Sequence, residues 1–170
     1  MPQHSIFSHY EVKQPSLPLP DPDLFIETKG IQEENNQEFY IKKSVYEEMI
    51  AYCKQGLPYE VCGLLSSINE TGSTLWKIKN ETRQLNRFYM SKEAIKGAVM
   101  EMNKNDEKLT AIFHSHPTSP AIPSSRDIEN NPYDQLAYFI VSFHKEKVHV
   151  GCFRMNNKKV IPLTLIISNN

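Results

Sequence analysis

Two short segments hold residues whose types and spacing suit metal-dependent chemistry. His114–Pro117 reads His-Ser-His-Pro, and Ser124–Asp127 reads Ser-Ser-Arg-Asp. The preceding segment, Leu109–Phe113, contains β-branched and aromatic residues that predict a strand running into the histidines. Side chains alternate along a strand, so His114 and His116 should share one face. Two imidazoles on one rigid face can bind a single metal ion from one side.

A third ligand is expected from the residues that follow. The prolines at positions 117, 120 and 123 favour a stiff loop rather than a helix or a paired strand. Ser124 and Asp127 then match a helix N-cap followed by an acid in the first turn, which would fix the direction of the carboxylate. Two histidines and one carboxylate leave one position of a tetrahedral zinc open for water, whereas structural zinc sites are usually closed. The pattern therefore predicts a hydrolytic metal centre.

Each of these residues also has a simpler interpretation when it is taken singly. Histidines in strands and Ser-x-x-Asp caps are common and usually have no catalytic role. The prediction of a metal centre rests on the combination of all four residue types on one strand, loop and turn.

The same residues resemble the JAMM motif of the MPN-plus metalloprotease family, which combines an upstream glutamate with His-x-His-Pro and Ser-x-x-Asp. Pro58–Leu65 is similar to the family's Pro-x-Glu-x-Cys-Gly segment and places the expected catalytic glutamate at Glu60. Without the motif, Glu60 would be interpreted as a surface carboxylate. The similarity extends from about Phe39 to about Ile167 and includes two further segments, Asn80-Glu81-Thr82 and Arg87-Phe88-Tyr89-Met90.

The resemblance implies a mechanism and a role for each residue. One Zn²⁺ per chain would be held by His114, His116 and Asp127, and it would activate water and polarise the scissile carbonyl. Glu60 would act as general base and then deliver the proton to the leaving amine. Ser124 would donate a hydrogen bond to the oxyanion of the tetrahedral intermediate. Ser115, between the ligands, is interpreted as a structural hydrogen-bonding residue, with a supporting role at the site left open.

Within this family the chain looks closer to the small prokaryotic members. The resemblance also implies a substrate. It is a peptide or isopeptide bond at the diglycine-type C-terminal tail of a ubiquitin-like or sulfur-carrier protein, which could bind as an added strand. Two alternatives stay open. One is a non-catalytic MPN scaffold that has lost the metal, and the other is a peptidase acting on cell-wall or other small peptides.

Composition limits the partners and the compartment. The chain has 170 residues and a net charge of -1, which fits one domain and gives no general attraction to nucleic acid or to a membrane. Three widely spaced cysteines without a Cys-x-x-Cys pair argue for a reducing compartment. With no signal-peptide pattern at the N-terminus, a cytoplasmic protein is expected. Cys62 is interpreted as a small buried residue, with a redox or modulating role beside Glu60 as the alternative.

Residues 1–37 are expected to form a flexible proline-rich arm, and residues 38–170 the metalloprotease domain. Strands are predicted at residues 39–41, 75–79, 88–90, 109–116, 138–143, 148–155 and 160–167. One helix is predicted to start at a capping box formed by Ser44 and Glu47, and a second helix after Ser91. These elements predict an α+β fold with a curved mixed β-sheet flanked by helices, and the resemblance implies the MPN/JAB fold with its cytidine-deaminase-like layering.

Overall fold

Eight strands and three helices make up the part of the chain that the computed structural model describes, residues 37–82 and 84–169. In chain order the elements are β1 Glu38–Lys42, α1 Lys43–Gln55, β2 Cys62–Ile68, β3 Thr71–Ile78, α2 Lys92–Lys104, β4 Lys108–His116, α3 Ser125–Glu129, β5 Ala137–Ser142, β6 His149–Asn156, β7 Lys159–Pro162 and β8 Thr164–Ser168. The proline-rich arm lies outside the described residues except for Gln37, so its flexibility stays a prediction.

All eight strands form one mixed sheet in the order β7-β6-β5-β4-β2-β3-β1-β8. β4 pairs with β5 in parallel and with β2 in antiparallel orientation, and β1 is parallel to both β3 and β8. Only Leu163 separates β7 from β8, although these strands occupy opposite edges of the sheet. The sheet must therefore curve until its edges approach each other. The predicted α+β fold with a curved mixed sheet is confirmed.

Each face of the sheet carries one hydrophobic core. α2 packs on one face over a cluster that includes Leu64, Ile112 and Met155. α1 packs on the other face over a cluster that includes Ala111 and Phe113. β4 thus alternates between the two cores along its length, as a strand covered on both sides must.

Three local predictions are wrong. Helix α1 begins at Lys43 with Lys42 as N-cap and no side-chain capping bond, because β1 runs directly into the helix and places Ser44 inside it. The segment 88–90 is not a strand, since its backbone is bound by the Asn80 side chain and not by a strand ladder. The predicted strand over 160–167 is two strands, and the break at Leu163 sends the chain to the other edge.

None of the helices in the described ranges combines the length and the apolar content that a bilayer crossing requires.

Candidate metal centre

β4 brings the two histidines together on the α2 side of the sheet. The strand alternates, so His114 and His116 lie on the same face as Ile112, with relative exposures of only 1% and 5%. Their Nε2 atoms are 3.1 Å apart. The predicted strand and the shared face are both present.

Asp127 reaches the same point from the first turn of α3. Ser124 is the N-cap, its hydroxyl accepts from the Asp127 backbone N–H, and the Asp127 carboxylate accepts from the Ser124 backbone N–H. This reciprocal capping box aims the carboxylate at the histidines. Asp127 Oδ1 lies 3.3 Å from His114 Nε2, and Oδ2 lies 3.5 Å from His116 Nε2.

The donor atoms fit a tetrahedral cation. Ligands bound about 2.0–2.2 Å from a tetrahedral zinc are separated from one another by roughly 3.3–3.6 Å. The two imidazole nitrogens are 3.1 Å apart, and each lies 3.3 or 3.5 Å from one of the two carboxylate oxygens, so the separations are close to that spacing. Within the described part of the chain, these three residues form the one cluster of His, Cys, Asp or Glu side chains that could hold a metal ion.

A backbone carbonyl sets the tautomer of His116. Its Nδ1 lies 2.8 Å from the Pro120 carbonyl oxygen, which can only accept, so Nδ1 carries the proton and Nε2 presents a lone pair. The loop that supplies this carbonyl is anchored on the neighbouring elements. The Ser142 hydroxyl donates to Ser119 O at 2.6 Å, and His144 Nδ1 lies 2.6 Å from Thr118 O.

His114 is held by packing. The Phe88 ring stacks on its imidazole with the centroids 4.6 Å apart and an angle of 24° between the planes. Its Nδ1 is buried and has no hydrogen-bond partner among the described residues. Phe88 thus fixes the plane of the imidazole by packing on its face, while the edge at Nδ1 has no polar partner in the described part of the chain.

Strand register places Glu60 opposite the histidines. β2 pairs with β4 so that Cys62 faces His114, and Ser115 continues this register by exchanging two hydrogen bonds of 2.9 Å with the backbone of Val61. Two residues before Cys62, Glu60 is therefore aligned with His116 on the same face. The sequence predicts a structural hydrogen-bonding role for Ser115. Its two hydrogen bonds to Val61 align the segment that carries Glu60.

The side chain of Asn80 holds the Glu60 segment from the other side. Its Nδ2 donates to the carbonyl oxygens of Glu60 and Arg87, at 2.9 and 2.8 Å. Its Oδ1 accepts from the backbone N–H groups of Thr82 and Tyr89, at 3.0 and 3.1 Å. One amide thus ties Glu60 to the segment that carries Arg87 and Phe88.

Burial and neighbouring charges shift the pKa values of the two carboxylates at the centre, Glu60 and Asp127. Burial raises the pKa of Glu60, although the charges of His114 and His116 act in the opposite direction. Burial would also raise the pKa of Asp127, but the charge of His114, the close contacts with both imidazoles and the hydrogen bond from Ser124 hold the pKa well below its usual range. Asp127 is consequently ionised at neutral pH and available as a ligand.

Ser124 is exposed, and its hydroxyl donates to Asp127 Oδ2 at 2.7 Å. The N-cap predicted from sequence is present. Donation to an oxyanion would require the hydroxyl to turn away from Asp127, so the catalytic role of Ser124 stays a prediction.

A cavity of about 640 Å³ opens beside the centre. Its lining includes Glu60, both histidines and Asp127, together with Arg87, Phe88 and Arg126. These last three had no assigned role before the fold was known. Arg87 and Phe88 belong to a segment that sequence had already marked as family-like, which was the available signal. Nothing in the sequence marked Arg126 beyond its place within Ser-x-x-Asp.

The remaining candidates are accounted for by their surroundings. Burial raises the pKa of the Cys62 thiol, which donates weakly to Ile78 O, and an inert thiol of this kind does not support a redox role. His144 binds a loop carbonyl, and neither His144 nor His149 belongs to the metal cluster. His4 and His9 lie outside the described residues.

The chain is similar to several known proteins. A family model for prokaryotic homologs of the JAB domain matches residues 42–156. The chain is 29% identical over 90 residues to a probable TtuB-protein conjugate cleaving protease of Thermus thermophilus, a match that covers 53% of the chain and 61% of that protein. It is 30% identical over 83 residues to a desampylase of Pyrococcus furiosus, covering 49% and 59%. The chain thus spans about three-fifths of the length of each curated relative.

A solved structure extends the likeness over more of the chain. The solution structure of a protein from Desulfitobacterium hafniense is similar with a TM-score of 0.70 at 28% identity, and the match covers 78% of this chain and 94% of that one.

Proposed function

The chain belongs to the family of prokaryotic homologs of the JAB domain, and from this premise we propose that it is a zinc metalloprotease. Its substrate is a peptide or isopeptide bond at the C-terminal, diglycine-type tail of a ubiquitin-like or sulfur-carrier protein. The observation that carries the proposal is the group of His114, His116 and Asp127, whose ligand atoms lie within 4.8 Å of one another, with a buried glutamate aligned opposite them.

The comparisons support the substrate class. One relative is named for cleaving conjugates of the protein TtuB, and another is named a desampylase. A carrier protein joined through its tail to an amino acid or to another protein is a conjugate of the same general kind. A cavity of about 640 Å³ beside the centre offers space for the end of such a tail.

His114, His116 and Asp127 would hold the zinc. When bound, zinc supplies a Lewis acid that activates water and polarises the scissile carbonyl. The chain prepares this position through the Pro120 carbonyl, which holds a proton on His116 Nδ1 so that the neutral ring presents Nε2, and through the Asp127 carboxylate, which stays ionised.

Glu60 would move the proton. A carboxylate with a raised pKa is a better base than an ordinary one, and its conjugate acid is a competent donor to the leaving amine. The backbone contacts from Asn80 and Ser115 hold this segment in place, so Glu60 needs little reorganisation before the reaction. Ser124 would provide the hydrogen bond to the developing oxyanion once its hydroxyl leaves Asp127.

The test compares the native chain with Glu60→Gln for zinc content and for cleavage of a ubiquitin-like protein extended beyond its diglycine. We expect one zinc per chain in both proteins, and a loss of at least about 10²-fold in cleavage rate for Glu60→Gln. Glu107→Gln is the matched control, because Glu107 has the same relative exposure of 8% as Glu60 but binds Ser66 and Thr74 away from the site. Its cleavage rate should equal that of the native protein.

Each result has a distinct meaning. Stoichiometric zinc without cleavage by the native chain would contradict the proposed substrate and leave the metal centre standing. Well-folded native protein that binds no zinc would contradict the metalloprotease proposal and favour the scaffold alternative.

A further inference from the structure

We propose that Arg87 and Arg126 form a binding site for the α-carboxylate of a leaving amino acid, so that the enzyme prefers a carrier extended by one amino acid to an isopeptide-linked protein. This inference rests on the proposed function, because it concerns which bond at the carrier tail is cleaved.

The charged side chains that line the cavity differ in whether they have a partner of opposite charge. Four charged side chains line it, two carboxylates and two guanidinium groups. Asp127 is bound by both histidines and by Ser124, and Glu60 is aligned with His116. Within the described part of the chain, neither Arg87 nor Arg126 forms an ion pair with a carboxylate. A divalent cation bound at the centre would balance both carboxylates and leave the two arginines as excess positive charge.

Arg87 has an unmet hydrogen-bonding demand. Its Nε is buried and finds no partner within the described residues. A buried polar group without a partner costs free energy, and native proteins leave few of them. The backbone of Arg87 is firmly held, because its carbonyl accepts from Asn80 and from the Thr82 hydroxyl. The backbone of Arg87 is thus held beside the cavity that its side chain lines, and an oxygen of a ligand in the cavity would offer the guanidinium a partner.

Arg126 brings the second positive charge to the same wall. It lies one residue before Asp127, and its Nη1 donates to Asn86 O at 3.2 Å. This bond joins the first turn of α3 to the segment that carries Arg87. Its remaining N–H groups are exposed beside the metal centre.

In the proposed substrate, the anion nearest to the scissile bond is the α-carboxylate of a leaving amino acid. The carrier side of the bond ends in glycine residues, which present no carboxylate next to the scissile carbonyl. When the leaving group is a free amino acid, its α-carboxylate is separated from the scissile nitrogen by a single carbon atom. When it is a lysine ε-amine, four methylene groups follow the nitrogen instead. A guanidinium binds a carboxylate through paired, charge-assisted hydrogen bonds. Hydrolysis adds water across the C–N bond, so the carrier regains its terminal carboxylate and the amino acid leaves with a free amine.

Two substrates that differ in one charge test the proposal. They are a carrier ending in Gly-Gly-Ala with a free carboxylate and the same protein ending in the carboxamide. For the native enzyme we expect kcat/KM to be roughly 10- to 100-fold higher for the carboxylate, mainly through KM. Arg87→Met should lower this ratio several-fold, with Arg126 retaining part of the preference, and Arg87→Lys should restore part of what is lost. Arg154→Met is the matched control, since Arg154 lies on β6 outside the cavity lining, and it should leave the ratio unchanged.

Equal rates of the native enzyme on both substrates would overturn the proposal, and so would equal losses on both substrates in Arg87→Met. The native comparison alone decides the matter if Arg87→Met does not fold.

Binding separates this proposal from the proposed function if neither substrate is cleaved. The peptide Gly-Gly-Ala and its amide are titrated into Glu60→Gln and into Glu60→Gln/Arg87→Met. At least tenfold tighter binding of the carboxylate that is lost with Arg87 would support the subsite, because contact of the peptide with the metal would persist in both proteins. Equal binding of peptide and amide would refute it.

Discussion

Replacing Asn80 by alanine should remove the hydrogen bond that holds the backbone of Glu60 in place beside the metal centre. The Asn80 amide makes four hydrogen bonds, two donated to the carbonyls of Glu60 and Arg87 and two accepted from Thr82 and Tyr89. A neutral hydrogen bond contributes about 0.5–1.5 kcal/mol net. The segment is partly buried, so water replaces some of what is lost, and we expect a total loss of about 2–4 kcal/mol. For a chain of this size that corresponds to a fall in Tm of roughly 5–15 °C.

The effect on catalysis should exceed the effect on metal binding. A displacement of about 1 Å in a catalytic group can cost roughly 10²-fold in rate. We therefore expect kcat of Asn80→Ala to fall about 10- to 100-fold on the carrier substrate. Zinc stoichiometry should stay at one per chain, because none of the four hydrogen-bond partners is a proposed ligand. Steady-state kinetics, metal analysis and thermal unfolding measure the three quantities.

Two variants make the reasoning refutable. Asn80→Asp keeps an oxygen for Thr82 and Tyr89 but places a second oxygen against the carbonyl of Glu60, so its kcat should fall at least as far as that of Asn80→Ala. Asn131→Ala removes a comparable amide, which bonds Met155 O, the Tyr133 N–H and the Tyr138 hydroxyl but does not hold Glu60, so it should lower Tm and change kcat much less than Asn80→Ala does. Native-like kcat in Asn80→Asp would show that the amide donors do not position Glu60.

Two further predictions concern the loop and the thiols. Ser142→Ala removes the bond that holds Ser119 O, so the Pro120 carbonyl should fit His116 less well and zinc affinity should fall roughly tenfold in a chelator competition. Ser67→Ala, which breaks a buried hydroxyl pair elsewhere, should not change zinc affinity, and equal losses in both variants would contradict the idea. The cysteines are buried and burial raises the pKa of Cys53 and Cys152 to about 12, so thiol reagents at about pH 8 should label none of the three in folded protein and all in denaturant. Rapid labelling of native Cys62 would revive a redox role.

The local elements of the site, which depend on residues close together in the sequence, could be predicted from the sequence. The strand entering the histidines and the capping box of Ser124 and Asp127 follow from local alternation and local hydrogen bonding, and both are present. Helix α2 was likewise found from its N-cap at Ser91 and its apolar spacing. Where a local rule failed, a competing contact had replaced it. The capping pattern at Ser44 lost to the direct passage from β1 into α1, and segment 88–90 lost its strand ladder to the side chain of Asn80.

The sequence by itself determined which residue types meet at the centre and that they suit a cation, because ligand chemistry and short-range spacing are written in the chain. Only the tertiary structure decided that Glu60 is aligned with His116, since this depends on the register of β2 against β4. It also decided that Arg87 and Phe88 lie at the same cavity, because the Asn80 amide that binds Arg87 O also binds the carbonyl of Glu60, twenty residues before it. Register and long-range hydrogen bonds are selected by the packing of the whole sheet, and no window of sequence contains both partners.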